Sequence, residues 1–274
     1  MNNKIVNRLA CPYDHANLDL TTKSDEGNGY KCTKCKRLYP IIDEIPNFLP
    51  DELRTWTTNE ILNTKLSGVK NEIIGVGNWK PGFRGWSPSF IIRTLSFGFG
   101  QGRVDKMTKG YTLDVGCGDV AKGDVNSDIY VPTPLPKNFI LASADLLPFK
   151  DNSFDIVRSA YVIEHNLYPV EMVKEHLRVC SKSVEIFTDN SDWLGVYVYR
   201  LLNVGSIFHD EHYHKWSKEY FRNILNRLGW HGKVSVFNTS PSLLVKGMSV
   251  LGKLPRIGVI FYRDLYAEIY KNKK

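Results

Sequence analysis

From residue 109 onward the chain alternates short apolar runs with turn signals. Tyr111 to Gly118 (YTLDVGCG) reads as a buried strand that ends in an acidic residue and turns through Gly116 and Gly118, and Gly123 to Tyr130 reads as a second strand ending at Asp128. Phe139 to Ala142 is a third run. After the turn Asp151-Asn152-Ser153, Phe154 to Val157 forms a fourth and opens into Ser159-Ala160-Tyr161-Val162-Ile163-Glu164-His165. Val170 to Val179 has helical periodicity, Ser183 to Thr188 is a fifth strand ending at Asp189-Asn190, and Ser217 caps a helix to Leu228. Val234 to Phe237 and Ile257 to Tyr262 add two strand-like runs. Strands of this kind, each leading to a turn or helix, predict an α/β fold built like half of a doubly wound parallel sheet. Only about nine residues separate the first strand from the second. A parallel crossover normally takes a dozen or more, so the usual first helix is a single turn or absent.

The N-terminal segment is patterned differently. Cys11-Pro12-Tyr13-Asp14-His15 is followed by the C-x2-C knuckle Cys32-Thr33-Lys34-Cys35, with Cys11 and Asp14 at the spacing of a second knuckle. Zinc takes three thiolates plus a carboxylate or imidazole, so either Asp14 or His15 completes a tetrahedral set. A segment this short folds poorly on a hydrophobic core alone. Between it and the strands, Asp51 to Ser67 suits a polar helix and Ser87 a cap for a second, apolar helix. Trp79 to Trp86 suits an aromatic loop that covers a site or anchors the linker. Ser242 to Leu254 is an apolar stretch that reads as core or lid, or as a lipid contact. Three parts are therefore expected: a ribbon over residues 1–50, a helical linker and cover over 51–108, and a cofactor domain over 109–274.

Glycine lacks a Cβ and takes positive φ, so the Gly116 and Gly118 turn lets backbone N–H groups approach a nucleotide-type cofactor. On spacing alone a ligand-free turn is equally good. Asp128, at the end of the next strand, stands where ribose hydroxyls are bound. The run LDVGCG, the acid after it, SADLLPFKDNSFDIV and YVIEH together resemble the class I S-adenosylmethionine-dependent methyltransferases of the type 11 group, over roughly Lys109 to Trp230. The resemblance implies a Rossmann-like seven-stranded sheet and S-adenosyl-L-methionine as cofactor. It implies that Asp114, Gly116 and Gly118 line the methionine end with Cys117 packed between, and that Asp128 takes the ribose. It puts Ser143 where an acid or amide usually faces the adenine amino group, with Ala144 offering its backbone, Asp145 as a substitute acceptor and Tyr161 beside the methyl group.

The N-terminal segment resembles the small zinc-ribbon domain of the tRNA-methyltransferase activator proteins, which also precedes the catalytic domain of rRNA guanine methyltransferases. Asp14 stands where the full pattern has cysteine. The resemblance implies Zn2+ on Cys11, Cys32, Cys35 and either Asp14 or His15, or, as in relatives that carry that replacement and fold without metal, a metal-free ribbon.

Methyl transfer needs a base only when the acceptor must lose a proton early. His165, Asp189, His209 and His212 are the unranked candidates, His165 also being suited to capping or packing a helix that begins there. Ser159-Ala160-Tyr161 replaces the Asn/Asp-Pro-Pro-Tyr run that grips an exocyclic amino group. Cys180, expected on a helix, is not placed to attack cytosine. Adenine-N6 and cytosine-C5 methylation are therefore disfavoured.

Composition adds little. The chain has 274 residues, 42% of them hydrophobic, five cysteines and a net charge of +7. Three cysteines in the ribbon and two isolated ones suit a reducing compartment, and with no signal-peptide pattern or long apolar stretch the expectation is cytoplasmic. The positive charge attracts RNA, anionic lipids or phosphorylated substrates, or is simply a solvated surface. The acceptor is then RNA or a small, lipid-linked or glycan molecule. The alternative is a catalytically weak or inactive module that binds and activates a partner.

Overall fold

The computed structural model describes residues 3–22, 28–51, 53, 109–201, 212–237 and 258–271. A four-residue helix α1 (Asn3–Val6) precedes a small antiparallel sheet of β1 (Leu18–Thr21), β2 (Gly29–Cys32), β3 (Leu38–Ile42) and β4 (Ile45–Pro46). The large sheet contains β5 (Thr112–Val115), β6 (Val125–Asp128), β7 (Phe139–Leu141), β8 (Phe154–Ala160), β9 (Cys180–Asp189), β10 (His231–Phe237) and β11 (Asp264–Tyr270). Its order is β10-β11-β9-β8-β5-β6-β7. The five strands from β5 to β9 are parallel, whereas β11 runs antiparallel to both β9 and β10. This is the Rossmann-like sheet of the class I methyltransferase fold. The strand order reverses between β5 and β8, the position where open α/β sheets form a crevice at their strand ends.

β5 and β6 are buried at every position. That is easily understood for Leu113 and Val115, but β6 reads Val-Asn-Ser-Asp. Asn126 makes the polar sequence tolerable: its Oδ1 accepts from Gly123 N at 2.9 Å and its Nδ2 donates to Gly123 O at 3.2 Å and Lys137 O at 2.8 Å. Asp124 accepts from Thr112 N at 2.8 Å, and Asn138 Nδ2 donates to Asp124 O at 2.9 Å. Residues 116–124 thus join two parallel strands without a helix, as the short spacing predicts, because side chains supply the backbone partners a helix would have supplied internally.

A row of charges crosses the same sheet. Asp114 is in register with Arg158, Arg158 with Glu185, Glu185 with Glu268, and Glu268 with Lys233. Arg158 is 3% exposed. Its guanidinium opposes the upward push that burial gives the Asp114 carboxyl.

The helices cover the sheet with apolar stripes. α2 (Pro169–Val179) begins with proline at its first turn and buries Met172, Val173, His176 and Val179. α3 spans Leu194–Leu201. α4 (Lys218–Arg227) buries Phe221 and Leu225. Ser217 caps α4 as expected, accepting from Tyr220 N at 3.2 Å, and Gly229 closes it at φ +67°.

Two expectations fail. Cys180 is the first residue of β9, not part of the helix, and it extends the parallel pairing with Phe154. The last strand is Asp264–Tyr270 rather than Ile257 to Tyr262, part of which is a 3-10 turn at Gly258–Phe261. Asn190 explains the shift: its Nδ2 donates to Val259 O at 3.1 Å and Tyr262 O at 2.8 Å, taking carbonyls a strand would have used.

The small sheet is welded to the large one. Ala10 N donates to Pro148 O, Lys150 N to Arg8 O and Phe48 N to Leu141 O, at 3.0, 2.8 and 2.8 Å. Asn47 bridges in parallel to Leu141, the end of the edge strand β7. Ile45 and Leu49 then pack with Cys117, Val131, Phe139 and Leu141, covering the side of the crossover that has no helix. The expected linker helices, the Trp79 to Trp86 loop, the Ser87 cap and the Ser242 to Leu254 stretch lie outside the described residues, apart from Asp51 and Leu53. Among the described residues no helix is long and apolar enough to cross a membrane.

Candidate active site

The first wall of the crevice is the turn after β5. Gly116 takes φ +67° and Gly118 φ +52°. A Cβ on Gly116 would lie 2.2 Å from Val162 Cγ2, so this turn is in contact with the turn that follows β8. Asp128 holds it in place. Its Oδ2 accepts from Gly118 N at 2.9 Å and its Oδ1 from Ile129 N at 2.7 Å, with Tyr130 N at 3.5 Å. Burial pushes the Asp128 carboxyl up to about 6 against these donors. A carboxylate has about four lone-pair sites, which leaves room for one more donor. Asp114 accepts from Lys122 N at 2.9 Å, and Cys117, buried between the glycines, donates its N–H to Ser127 O at 3.1 Å. Burial raises the Cys117 thiol and keeps it neutral.

Beyond β7, Ser143 Oγ donates to Asp145 Oδ1, and Ser143 O accepts from Leu146 N at 3.2 Å. Ala144 is buried beside them. Serine and aspartate are therefore coupled, which places a carboxylate two residues after Ser143 on the same turn.

The second wall follows β8. Tyr161 takes φ +57°, a left-handed conformation uncommon outside glycine. It is held by its N–H on Phe187 O at 2.8 Å and its hydroxyl on Asp264 Oδ1 at 2.9 Å. His165 lies in the same turn, donating its N–H to Val162 O at 3.0 Å; α2 starts only at Pro169, so His165 is not its cap. Its ring meets that of His212 edge to face with centroids 4.6 Å apart, and His212 Nδ1 is 4.0 Å from Asp189 Oδ2. Three of the four base candidates, His165, Asp189 and His212, thus come together; His209 lies outside the described residues.

Sequence reasoning passed over Glu164. It is 1% exposed, accepts from Thr188 Oγ1 at 3.1 Å through Oε2, and its Oε1 has no hydrogen-bond partner. Burial and the nearby Asp189 charge push it up to about 8. Its backbone carbonyl accepts from His214 N at 3.2 Å, which fixes the segment carrying His212 over the turn. The signal available in the sequence was Glu-His directly after a strand, followed later by a His-rich approach to a helix.

The N-terminal cysteines form a separate cluster. One ligand atom from each of Cys11, Asp14, Cys32 and Cys35 lies within 4.8 Å of the others, and His15, at φ +55°, is not in that group. Cys11 Sγ is 3.7 Å from Cys35 Sγ, and Cys32 Sγ 3.4 Å from Asp14 Oδ1. Lys34 N and Cys35 N donate to Cys32 Sγ at 3.3 and 3.4 Å. The Ala16 N–H holds the Asp14 carboxyl down to about 2, and burial pushes the Cys11 thiol up to about 12.

Residues 95–187 match the family described as "Methyltransferase domain". No curated protein matches the chain. Among solved structures, an S-adenosylmethionine-dependent methyltransferase from Thermotoga maritima is similar at 18% identity and a TM-score of 0.45, over 61% of this chain and 84% of that one. A chain from the complex of the Haloferax volcanii Trm112 methyltransferase activator with a candidate methyltransferase is similar at 12% identity and a TM-score of 0.41, over 82% and 97%. Phosphoethanolamine N-methyltransferase 2 from Haemonchus contortus, in complex with S-adenosyl-L-methionine, is similar at 14% identity and a TM-score of 0.42, over 69% and 53%. The stretch matched by the family carries both strand-end turns, and it is this part of the chain that is similar to methyltransferase domains.

Proposed function

We propose that the protein is an S-adenosylmethionine-dependent methyltransferase whose acceptor enters between the ends of β8 and β9. The observation that carries this reading is the paired geometry of the turn after β5 and Asp128 at the end of β6: a glycine turn clamped to a buried carboxylate that keeps one acceptor site open. When bound, the cofactor supplies an electrophilic methyl group on a sulfonium. In this reading Gly116 and Gly118 bring the backbone to it, with Asp114 at the methionine end and Cys117 packed behind. Asp128 accepts from the ribose, while the Ser143 and Asp145 pair, with the Ala144 backbone, receives the adenine amino group. Tyr161, fixed through Asp264, orients the methyl end. Alignment in a site closed to water supplies much of the acceleration in such a displacement. His165, Asp189, His209 and His212 supply the proton acceptor where one is needed, and the acceptor is RNA or a small or lipid-linked molecule.

Titration calorimetry with S-adenosylhomocysteine tests this. Micromolar binding, abolished in Asp114→Ala and Asp128→Ala variants that keep their circular dichroism, supports the enzyme. Absence of binding by the folded wild-type chain favours a module that activates a partner.

The N-terminal cluster is read here as a zinc site of Cys11, Asp14, Cys32 and Cys35, with residues 1–50 as its domain. Sulfurs about 2.3 Å from a tetrahedral zinc sit roughly 3.8 Å apart, and the 3.7 Å between Cys11 and Cys35 suits that arrangement. Elemental analysis of the purified chain tests it: stoichiometric zinc, lost in a Cys32→Ser, Cys35→Ser variant, is expected.

A further inference from the structure

We propose that Glu164, His165 and His212 bind a divalent cation at the acceptor end of the crevice, a site distinct from the cysteine cluster. One ligand atom from each lies within 4.8 Å of the others. A cation at about 2.1 Å from each donor would draw them to roughly 3.0–3.5 Å, a contraction within reach of side-chain movement alone.

The second observation is Glu164 itself. A carboxylate that is 1% exposed ordinarily finds a partner for each oxygen. Here Thr188 serves Oε2, and Oε1 has nothing. Among the described residues no lysine or arginine forms an ion pair with Glu164, and burial favours its protonated form; a cation held jointly with the two imidazoles would take the place of that proton. Asp189 Oδ2 lies 4.0 Å from His212 Nδ1, about 1 Å beyond a hydrogen bond, so a small side-chain movement would let it orient a metal-bound imidazole. Two imidazoles and one carboxylate suit Zn2+, Mn2+, Fe2+ or Co2+ better than Ca2+ or Mg2+. Three protein ligands leave coordination positions open. The role assigned to those positions, binding an oxygen or nitrogen of the methyl acceptor, rests on the methyltransferase reading; the cation site does not.

The test is calorimetric titration of the metal-stripped full chain with Mn2+, which discriminates against the thiolate cluster, combined with pulsed paramagnetic resonance of the complex. One Mn2+ per chain with two imidazole nitrogen couplings is expected, together with loss of binding in His212→Ala and Glu164→Gln and a 10–100-fold weakening in Asp189→Asn. No Mn2+ binding by the folded wild type, binding without imidazole couplings, or full affinity in His212→Ala would each overturn the proposal. Should His212→Ala fail to fold, the wild-type couplings decide. S-adenosylhomocysteine is titrated in parallel. Mn2+ binding without it sinks the methyltransferase reading and leaves the cation site standing, and the reverse outcome sinks only the cation site.

Discussion

The turns after β5 and β8 touch through Gly116 and Val162, yet they treat buried charge in opposite ways. After β5, Asp114 and Asp128 are surrounded by the chain's own donors: Lys122 N, Gly118 N, Ile129 N and, across the sheet, the Arg158 charge. After β8, Glu164 is buried more deeply than either and is left with an oxygen unpartnered. The first turn is held in shape by its own donors and presents a preformed surface, with one acceptor site of Asp128 left open. The second carries an unmet polar demand, which structures keep only where something else satisfies it.

The largest effect should come from removing the countercharge beneath the first turn. Arg158→Leu leaves Asp114 and Glu185 buried without it, and breaking such an arrangement costs about 3–5 kcal/mol. Urea unfolding should register that loss, and adding Asp114→Asn should recover part of it. Next is Gly116→Ala, which forces a Cβ into Val162 at positive φ. About 1–3 kcal/mol of strain should appear in the melting curve, with S-adenosylhomocysteine affinity falling about tenfold, or ~1.4 kcal/mol.

Asp128 sharpens the contrast through pH. Its folded pKa, about 6, is above the ordinary aspartate value of 3.8 because the carboxyl is buried. Its favourable contribution to folding is thus fully present below 3.8 and is lost as pH rises through about 6. Under the proposed ribose role of Asp128, cofactor binding should run the other way, weakening as pH drops through that point, because protonation occupies the lone pair the hydroxyl would use. Asp128→Asn should erase the inflection in calorimetric titrations between pH 5 and 7. The smallest effect belongs to the helix that anchors the His212 segment: Ser217→Ala should cost about 1 kcal/mol in thermal unfolding and leave cofactor affinity unchanged.

The strand ends at Asp128 and Asp189, that of β5 to within one residue of Asp114, the missing first helix and the Ser217 cap were all legible, because each depends on a few neighbouring residues. What was hidden depends on distant ones. Asn190 displaces the last strand by claiming carbonyls of Val259 and Tyr262. Glu164 and His212 meet only once the sheet sets the segment after β9 over the turn after β8. The junction between the sheets is largely backbone to backbone, at Ala10, Phe48 and Lys150, and such bonds leave no trace in side-chain pattern.

That junction bears on how the chain comes together during synthesis. The small sheet emerges from the ribosome first, but Arg8 Nε must wait for Ser153 O, 145 positions later, and the Asn47 bridge must wait for Leu141. Contacts so distant in sequence carry a loop-closure cost that slows folding. Docking of the first fifty residues onto the large sheet is therefore complete only once β7 and β8 are in place. A fragment lacking those first residues would leave β7 as an open edge, ready to pair with another copy.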